Sequence, residues 1–362
     1  MCTSNHASAP RRSRSASARW ATVVFVSALS TPVAQGVPQP ATFAWDTVRA
    51  TVTEIAAIID REYMDATLAQ RVAESLRRRL HDEEYARVTT PEALAALITR
   101  DLLTESKDKH LSVAVARESP PAAERAAPPS TREEGVRRTN AGVQRVEILA
   151  GNVGYLNLTA FWRIGEARDA IADAMRLLRR ADALIIDMRQ NGGGSPDTVA
   201  FLTGYLFGEA GLSLFDIVPR SGERVAYATP IPGPAERDER RPTYVLTAAR
   251  TFSAGEGFAF LLQERKRAQV IGERTAGAAN PGRPYRVNPL FEVTVPNGRV
   301  RSAVTGKNWE GAGVTPDVDV PAPEALHAAH VRALRELLAR APAGAWHDAL
   351  QRQLQMLQDG KR

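Results

Sequence analysis

Cysteine is almost missing from the 362 residues: the single one is Cys2. A lone thiol forms no intrachain disulfide. It also excludes a cysteine-rich zinc site or an iron–sulfur cluster. Long apolar runs are scarce too. The best candidate, residues 20–29, is about half of what a bilayer-spanning helix needs. A true charge surplus is absent. The formal net charge of +6 owes much to Arg11, Arg12, Arg14 and Arg19, and residues 37–362 carry 43 basic against 41 acidic side chains. Nothing here calls for a basic face that would bind nucleic acid. What is present is ordinary globular composition, 44% hydrophobic and 24% charged, with ample apolar material for a core.

The first 36 residues run in the order basic, apolar, small: Arg11 to Arg19, then residues 20–29, then Ala34 and Gly36. That is the order of a cleaved export signal, so a periplasmic or secreted chain with no remaining membrane span is expected. Cys2 falls inside this segment, leaving no thiol nucleophile after cleavage. Arg11-Arg12 hints at twin-arginine export, but the rest of that motif is poor.

From Trp45, Val48, Val52, Ile55 and Ile59 recur at helical spacing, and helical pattern continues to Leu103. A helical domain is expected over 37–114. Pro120, Pro121, Pro128 and Pro129 among charges then mark a linker at 115–138. From 139 to 325 apolar strand-like runs at 153–158, 184–186, 243–247 and 269–271 alternate with helical patterns, which argues for an α/β core. Phe291, Val293 and Val295 alternate before Pro296-Asn297-Gly298, which reads as a hairpin turn. A terminal helix is expected over 326–362. His327 and His330 share a face of it, but no third ligand stands at convincing spacing, so no metal and no cofactor is assigned.

Three segments carry the chemistry. Asp187-Met188-Arg189-Gln190-Asn191-Gly192-Gly193-Gly194 follows a buried strand. Its glycines let backbone N–H groups face a ligand, an arrangement suited to an oxyanion. It is not the G-x-G-x-x-G fingerprint and has no P-loop lysine, which disfavours nucleotides. Thr251-Phe252-Ser253-Ala254-Gly255-Glu256 sets a serine at a helix start, where taken alone it reads as an N-cap completed by Glu256. The third segment, residues 308–317, is a glycine-rich loop holding Glu310.

Together these segments resemble the C-terminal-processing, or tail-specific, serine peptidase family, in the branch that includes the interphotoreceptor retinoid-binding protein modules. Gly272-Glu273-Arg274-Thr275-Ala276-Gly277, Gly313-Val314-Thr315-Pro316-Asp317 and Asp108-Lys109-His110-Leu111 match further signatures in order. The resemblance implies a ClpP/crotonase-like α/β core behind a small N-terminal helical domain. It implies Ser253 as nucleophile, and the N–H groups of Gly194 and Ala254 as the oxyanion hole. Ala278 stands where tail-specific members carry a lysine base. His110 and Glu310 instead match the Ser–His–Glu solution of the tricorn core protease, with Lys307 in reserve as a base. A segment of 24 residues at 115–138 is too short for the PDZ domain common in tail-specific members. The expected function is hydrolysis of peptide bonds in exported polypeptide substrates. The alternatives are an inactive binding module for an apolar ligand and an envelope interaction scaffold.

Overall fold

Three amphipathic helices, α1 (Trp45–Glu62), α2 (Ala66–His81) and α3 (Pro91–Ser106), come first among the described residues, each for a local reason. Val48, Val52, Ile55 and Ile59 form the buried stripe of α1. Asp65 caps α2 by accepting the Leu68 N–H, and Thr90 caps α3 by accepting that of Ala93, with Pro91 at the first helical position. Lys107, in the left-handed region at φ 60°, ends α3 and turns the chain into residues 108–110. This computed structural model describes residues 43–116, 131–231 and 237–360. The expected export signal and most of the expected linker lie outside the described residues.

Strand β1 (Ser112–Val115) follows, and a short helix, α4 (Thr131–Arg138), occupies the last third of what reads as linker. The α/β core then runs through β2 (Val143–Leu149), β3 (Val153–Leu158), α5 (Ile164–Leu177), β4 (Ala183–Asp187) and α6 (Pro196–Thr203). It continues with β5 (Ser213–Pro219), β6 (Val225–Ala228), β7 (Thr243–Thr247), α7 (Ala254–Glu264) and β8 (Gln269–Gly272). Strands β9 (Gly282–Asn288), β10 (Phe291–Pro296), β11 (Gly298–Ser302) and β12 (Val318–Asp319) precede two final helices, α8 (Ala325–Arg340) and α9 (Ala345–Gln358). The expected single terminal helix is therefore two, broken at Pro342 and Gly344 (φ 147°).

The main sheet has the order β12-β8-β7-β4-β3-β2, parallel except where β2 pairs antiparallel with β3 at one edge. Every residue of β4 and β7 is buried. Their unbroken apolar runs are those of strands covered on both faces. One face packs against α5, α6 and α7, the other against α8 and α9. The carboxyl ends of β4 and β7 are neighbours, and it is there that α/β sheets leave a crevice.

The expected hairpin at Pro296-Asn297-Gly298 does not form. β10 pairs with β1 and β9, while β11 pairs with β5, so this turn is where the chain changes sheets. The physical reason is that Phe291, Val293 and Val295 bury against α1, α2 and α3, whereas Val300 buries in the α/β core. Alternation identified a strand with one buried face and was silent about which core would cover it. Hydrogen bonds from Met64 N to Pro296 O and from Arg220 to the carbonyls of Asp60 and Tyr63 join the two regions. No helix among the described residues is long and apolar enough to cross a membrane.

Candidate active site

The glycine turn leaves β4 under tight control. Asn191 is fully buried; its Nδ2 donates to Leu158 O (2.9 Å) and its Oδ1 accepts the Gly193 N–H (2.8 Å). Phe161 N–H donates to Gly193 O and Ser195 N–H to Phe161 O, so the turn is laced to the segment after β3. A side chain at Gly194 (φ 136°) would put its Cβ 1.9 Å from Phe161 O, and one at Gly193 (φ 95°) would meet Ser253 Cβ at 2.7 Å. Only glycine allows this approach. The motif's Asp187 and Arg189 pair with each other at 2.6 Å, and Tyr155 OH donates to Asp187 as well. They brace the turn.

Ser253 sits immediately before α7, at φ 53° and ψ −121°. A non-glycine residue there is strained by about 1–3 kcal/mol. The backbone half of the capping box forms, with Ser253 N–H donating to Glu256 Oε2 at 2.8 Å, but Ser253 Oγ makes no cap bond. The hydroxyl is turned away from the helix, and Oγ lies 3.1 Å from His110 Nε2. Glu256, fully buried, also accepts from Thr275 Oγ1, Gly277 N and Ala278 N, locking the 275–278 turn beside the serine. Burial raises the Glu256 pKa, and these four donors oppose the rise. The sequence showed Glu256 as a cap and gave no sign of this second task.

His110 stands on the loop between α3 and β1. Its ring rests on Phe252 (centroids 4.7 Å), its backbone N–H donates to Asp108 Oδ1 (2.9 Å), and Lys109 Nζ ties the loop to Ala276 O. Burial lowers the His110 pKa, the Asp108 charge opposing it, so the imidazole is neutral near neutral pH. Nδ1 is buried without a hydrogen-bond partner, 3.9 Å from Asp108 Oδ1. Glu310 approaches from the opposite loop. Its Oε2 accepts from Ala279 N (2.6 Å) and Asn280 N (3.0 Å), and its Oε1 is buried and unpartnered. A ring nitrogen of His110 and one carboxylate oxygen each of Asp108 and Glu310 lie within 4.8 Å of one another. The expected histidine–glutamate hydrogen bond is thus not closed in this conformation. Burial, and then the Asp108 charge, push the Glu310 pKa up to about 7. Sequence reading singled out the Asp108-x-His110 motif but missed Asp108's place at the ring, which only the turn after α3 reveals.

The remaining expectations fall as follows. No intramolecular hydrogen bond uses the N–H of Gly194 or Ala254 among the described residues. Both are free to donate outward at the turn and at the start of α7. Ala278 is fully buried, with Trp309 Nε1 donating to its carbonyl. Lys307 is exposed, and it is His110 that meets Ser253. His330 is buried with Nε2 on Ala150 O (2.8 Å), while His327 is exposed. Beside Gly193 and Gly194 opens a cavity of about 700 Å³ lined by Phe161, Trp162, Ile164 and Arg132.

Two family models match in chain order: Peptidase family S41 over residues 152–320, and the N-terminal domain of Peptidase S41 in eukaryotic IRBP over residues 45–147. The chain belongs to peptidase family S41, with the N-terminal domain of its IRBP-like branch. It is 31% identical over 180 residues to carboxyl-terminal-processing peptidase 2, chloroplastic, of Arabidopsis thaliana, covering 47% of this chain and 32% of that protein. It is 27% identical over 184 residues to a carboxy-terminal-processing protease of Bartonella bacilliformis, covering 48% and 40%. The chain thus spans well under half the length of either relative. Among solved structures, a lipoprotein from Streptococcus agalactiae superposes with a TM-score of 0.50 at 14% identity, over 80% of this chain and 96% of that one. A candidate peptidase from Parabacteroides merdae gives 0.50 at 18%, over 76% and 90%. These likenesses extend to the fold: a mixed α/β core with a helical N-terminal region.

Proposed function

We propose that the chain is a serine-type peptidase that hydrolyses polypeptides outside the cytoplasm through Ser253, His110 and Glu310. The observation that carries this reading is the 3.1 Å approach of His110 Nε2 to a Ser253 hydroxyl that a strained backbone withholds from capping α7. A serine that merely capped its helix would gain nothing from that geometry. Ser253 Oγ attacks the peptide carbonyl while neutral His110 takes its proton at Nε2. The N–H groups of Gly194 and Ala254 receive the developing oxyanion, aided by the positive end of α7. The imidazolium then formed is stabilised by Asp108 and by Glu310, which ionises readily once a positive charge stands beside it. His110 returns the proton to the leaving amine, and water repeats the cycle on the acyl-enzyme.

The cavity beside the glycine turn supports the same reading, because it offers an apolar side chain of the substrate a place next to the oxyanion donors. It is also what an inactive apolar-ligand module would use, so the two readings need separating. Incubation of the full chain with a fluorophosphonate probe and with casein does so. Labelling of Ser253 and casein cleavage, both lost in Ser253→Ala, support the peptidase. An unlabelled, inactive parent that copurifies with lipid overturns it in favour of the binding module. Action outside the cytoplasm rests on the basic, apolar and small order of residues 1–36. N-terminal sequencing of protein recovered from the cell envelope tests it, and an intact Met1 on cytoplasmic protein refutes it.

A further inference from the structure

The side of His110 that faces away from Ser253 has a chemistry of its own. Two carboxylates, Asp108 and Glu310, converge on it, and among the described residues neither forms a salt bridge with a lysine or arginine. Asp108 is 2% exposed, its Oδ2 accepts from Tyr63 OH, and its Oδ1 lies 3.9 Å from His110 Nδ1. Two buried atoms of the cluster, His110 Nδ1 and Glu310 Oε1, have no hydrogen-bond partner, and neither has Oδ1 of Asn280, a residue only 3% exposed whose backbone N–H donates to Glu310. Buried polar atoms are rarely left unpaired, so the cluster calls for something that all of them can bind. A cavity of about 290 Å³ bordered by Tyr63, Asp108, Asn280 and Glu310 offers the room.

We propose that Asp108, His110 and Glu310 form a site for a divalent transition-metal cation, Zn2+ foremost, and that occupancy switches the peptidase off. One imidazole nitrogen and two carboxylate oxygens are a donor set that suits zinc, with Asn280 Oδ1 or water as the fourth ligand. Magnesium and calcium prefer an all-oxygen shell. Tetrahedral bonds of about 2.0–2.2 Å set ligand atoms roughly 3.3–3.6 Å apart. The present separations of 3.9 Å and up to 4.8 Å therefore need a modest closure. Glu310 can supply it because Oε1 is unheld.

Inhibition follows from the tautomer. To act as base, His110 must present a lone pair at Nε2, which leaves its ring proton on Nδ1. A metal on Nδ1 takes that nitrogen's lone pair and leaves the ring proton on Nε2, where it points at Ser253 and nothing can accept the hydroxyl proton. The inhibitory half rests on the peptidase reading; the binding half does not.

The test is calorimetric titration of Zn2+ alone into the full-chain Ser253→Ala protein, with Mg2+ and Ca2+ alone as comparisons. A saturable zinc site is expected, weakened roughly 10–100-fold by Glu310→Gln or Asp108→Asn, with no competition from magnesium. Asp108 is buried on Tyr63, so if Asp108→Asn fails to fold, Glu310→Gln and His110→Ala decide. No saturable zinc binding, or the same affinity in the variants, overturns the site. In the parent, casein cleavage should fall in step with occupancy and return on chelation; full cleavage at saturating zinc overturns the switch. A parent inactive without zinc overturns the peptidase reading and the switch together, while the titration still decides the site.

Discussion

The two halves of the candidate site are built to different standards. On the nucleophile side, Asn191, Asp187, Thr251 and Glu256 are buried, and each is hydrogen-bonded to the backbone of a neighbouring turn. On the base side, His110 Nδ1, Glu310 Oε1 and Asn280 Oδ1 are buried and unpaired. The first half grows from the ends of adjacent parallel strands, so its positions are set by the sheet. The second is assembled from a loop after α3 and a loop before β12, held to each other by few direct bonds. Oxyanion donors must be aimed in advance, whereas a base and its carboxylates can adjust as charge develops. The difference teaches that the nucleophile turn is preorganised and the histidine side is adjustable.

The largest effect expected joins the two halves. Ser253→Ala and His110→Ala should each lower casein cleavage at least about a thousandfold, and the double variant should be scarcely worse, because one proton-transfer unit is lost only once. Additive losses in steady-state kcat/KM would break the pairing across the halves. Asn191→Ala attacks the rigid half alone. It leaves Gly193 N–H and Leu158 C=O unpaired, so chemical denaturation should reveal a loss of about 2–4 kcal/mol, with kcat falling as the turn relaxes.

Glu310→Gln attacks the adjustable half. Nucleophile and base remain, so kcat should fall only about 10–100-fold, within the range of general acid–base effects, and unfolding stability should hardly change. A stability loss as large as that of Asn191→Ala would erase the contrast between the halves.

The smallest effect is a pH dependence in the brace of the glycine turn. Burial alone would raise the Asp187 pKa, but hydrogen bonds from Arg189 and Tyr155 outweigh it and the net shift is downward. A carboxyl with a depressed folded-state pKa adds stability above its unfolded value, near 3.9, and loses it as pH falls through the folded one. Parent and Asp187→Asn should therefore differ by about 1–3 kcal/mol at pH 7 and converge as pH falls through the depressed folded-state value. Thermal unfolding across that range measures it, and a constant gap would show that the Asp187 charge plays no part.

Much of the nucleophile half is legible in the sequence. The strands at 184–186 and 243–247 read as buried runs, and the turn after each is legible because glycine and a helix-starting serine act over only a few residues. Less of the base half could be read. His110 and Glu310 were found through resemblance to a family, whereas the gap between them, the place of Asp108 at Nδ1 and the partnerless Asn280 have no local signature.

What the sequence by itself determined is the local part: which segments are buried strands, where helices start, and that residues 187–194 and 251–256 form turns between a strand and a helix. Tertiary structure alone decided three things. It drew β10 out of the α/β core to pair with β1, turned Ser253 Oγ from its helix toward His110, and set two carboxylates behind that histidine. The physical reason is range. Backbone propensity and hydrophobic period act between near neighbours, while the partner of a strand or of a buried polar atom is chosen by residues more than a hundred positions away, through packing that no short window contains.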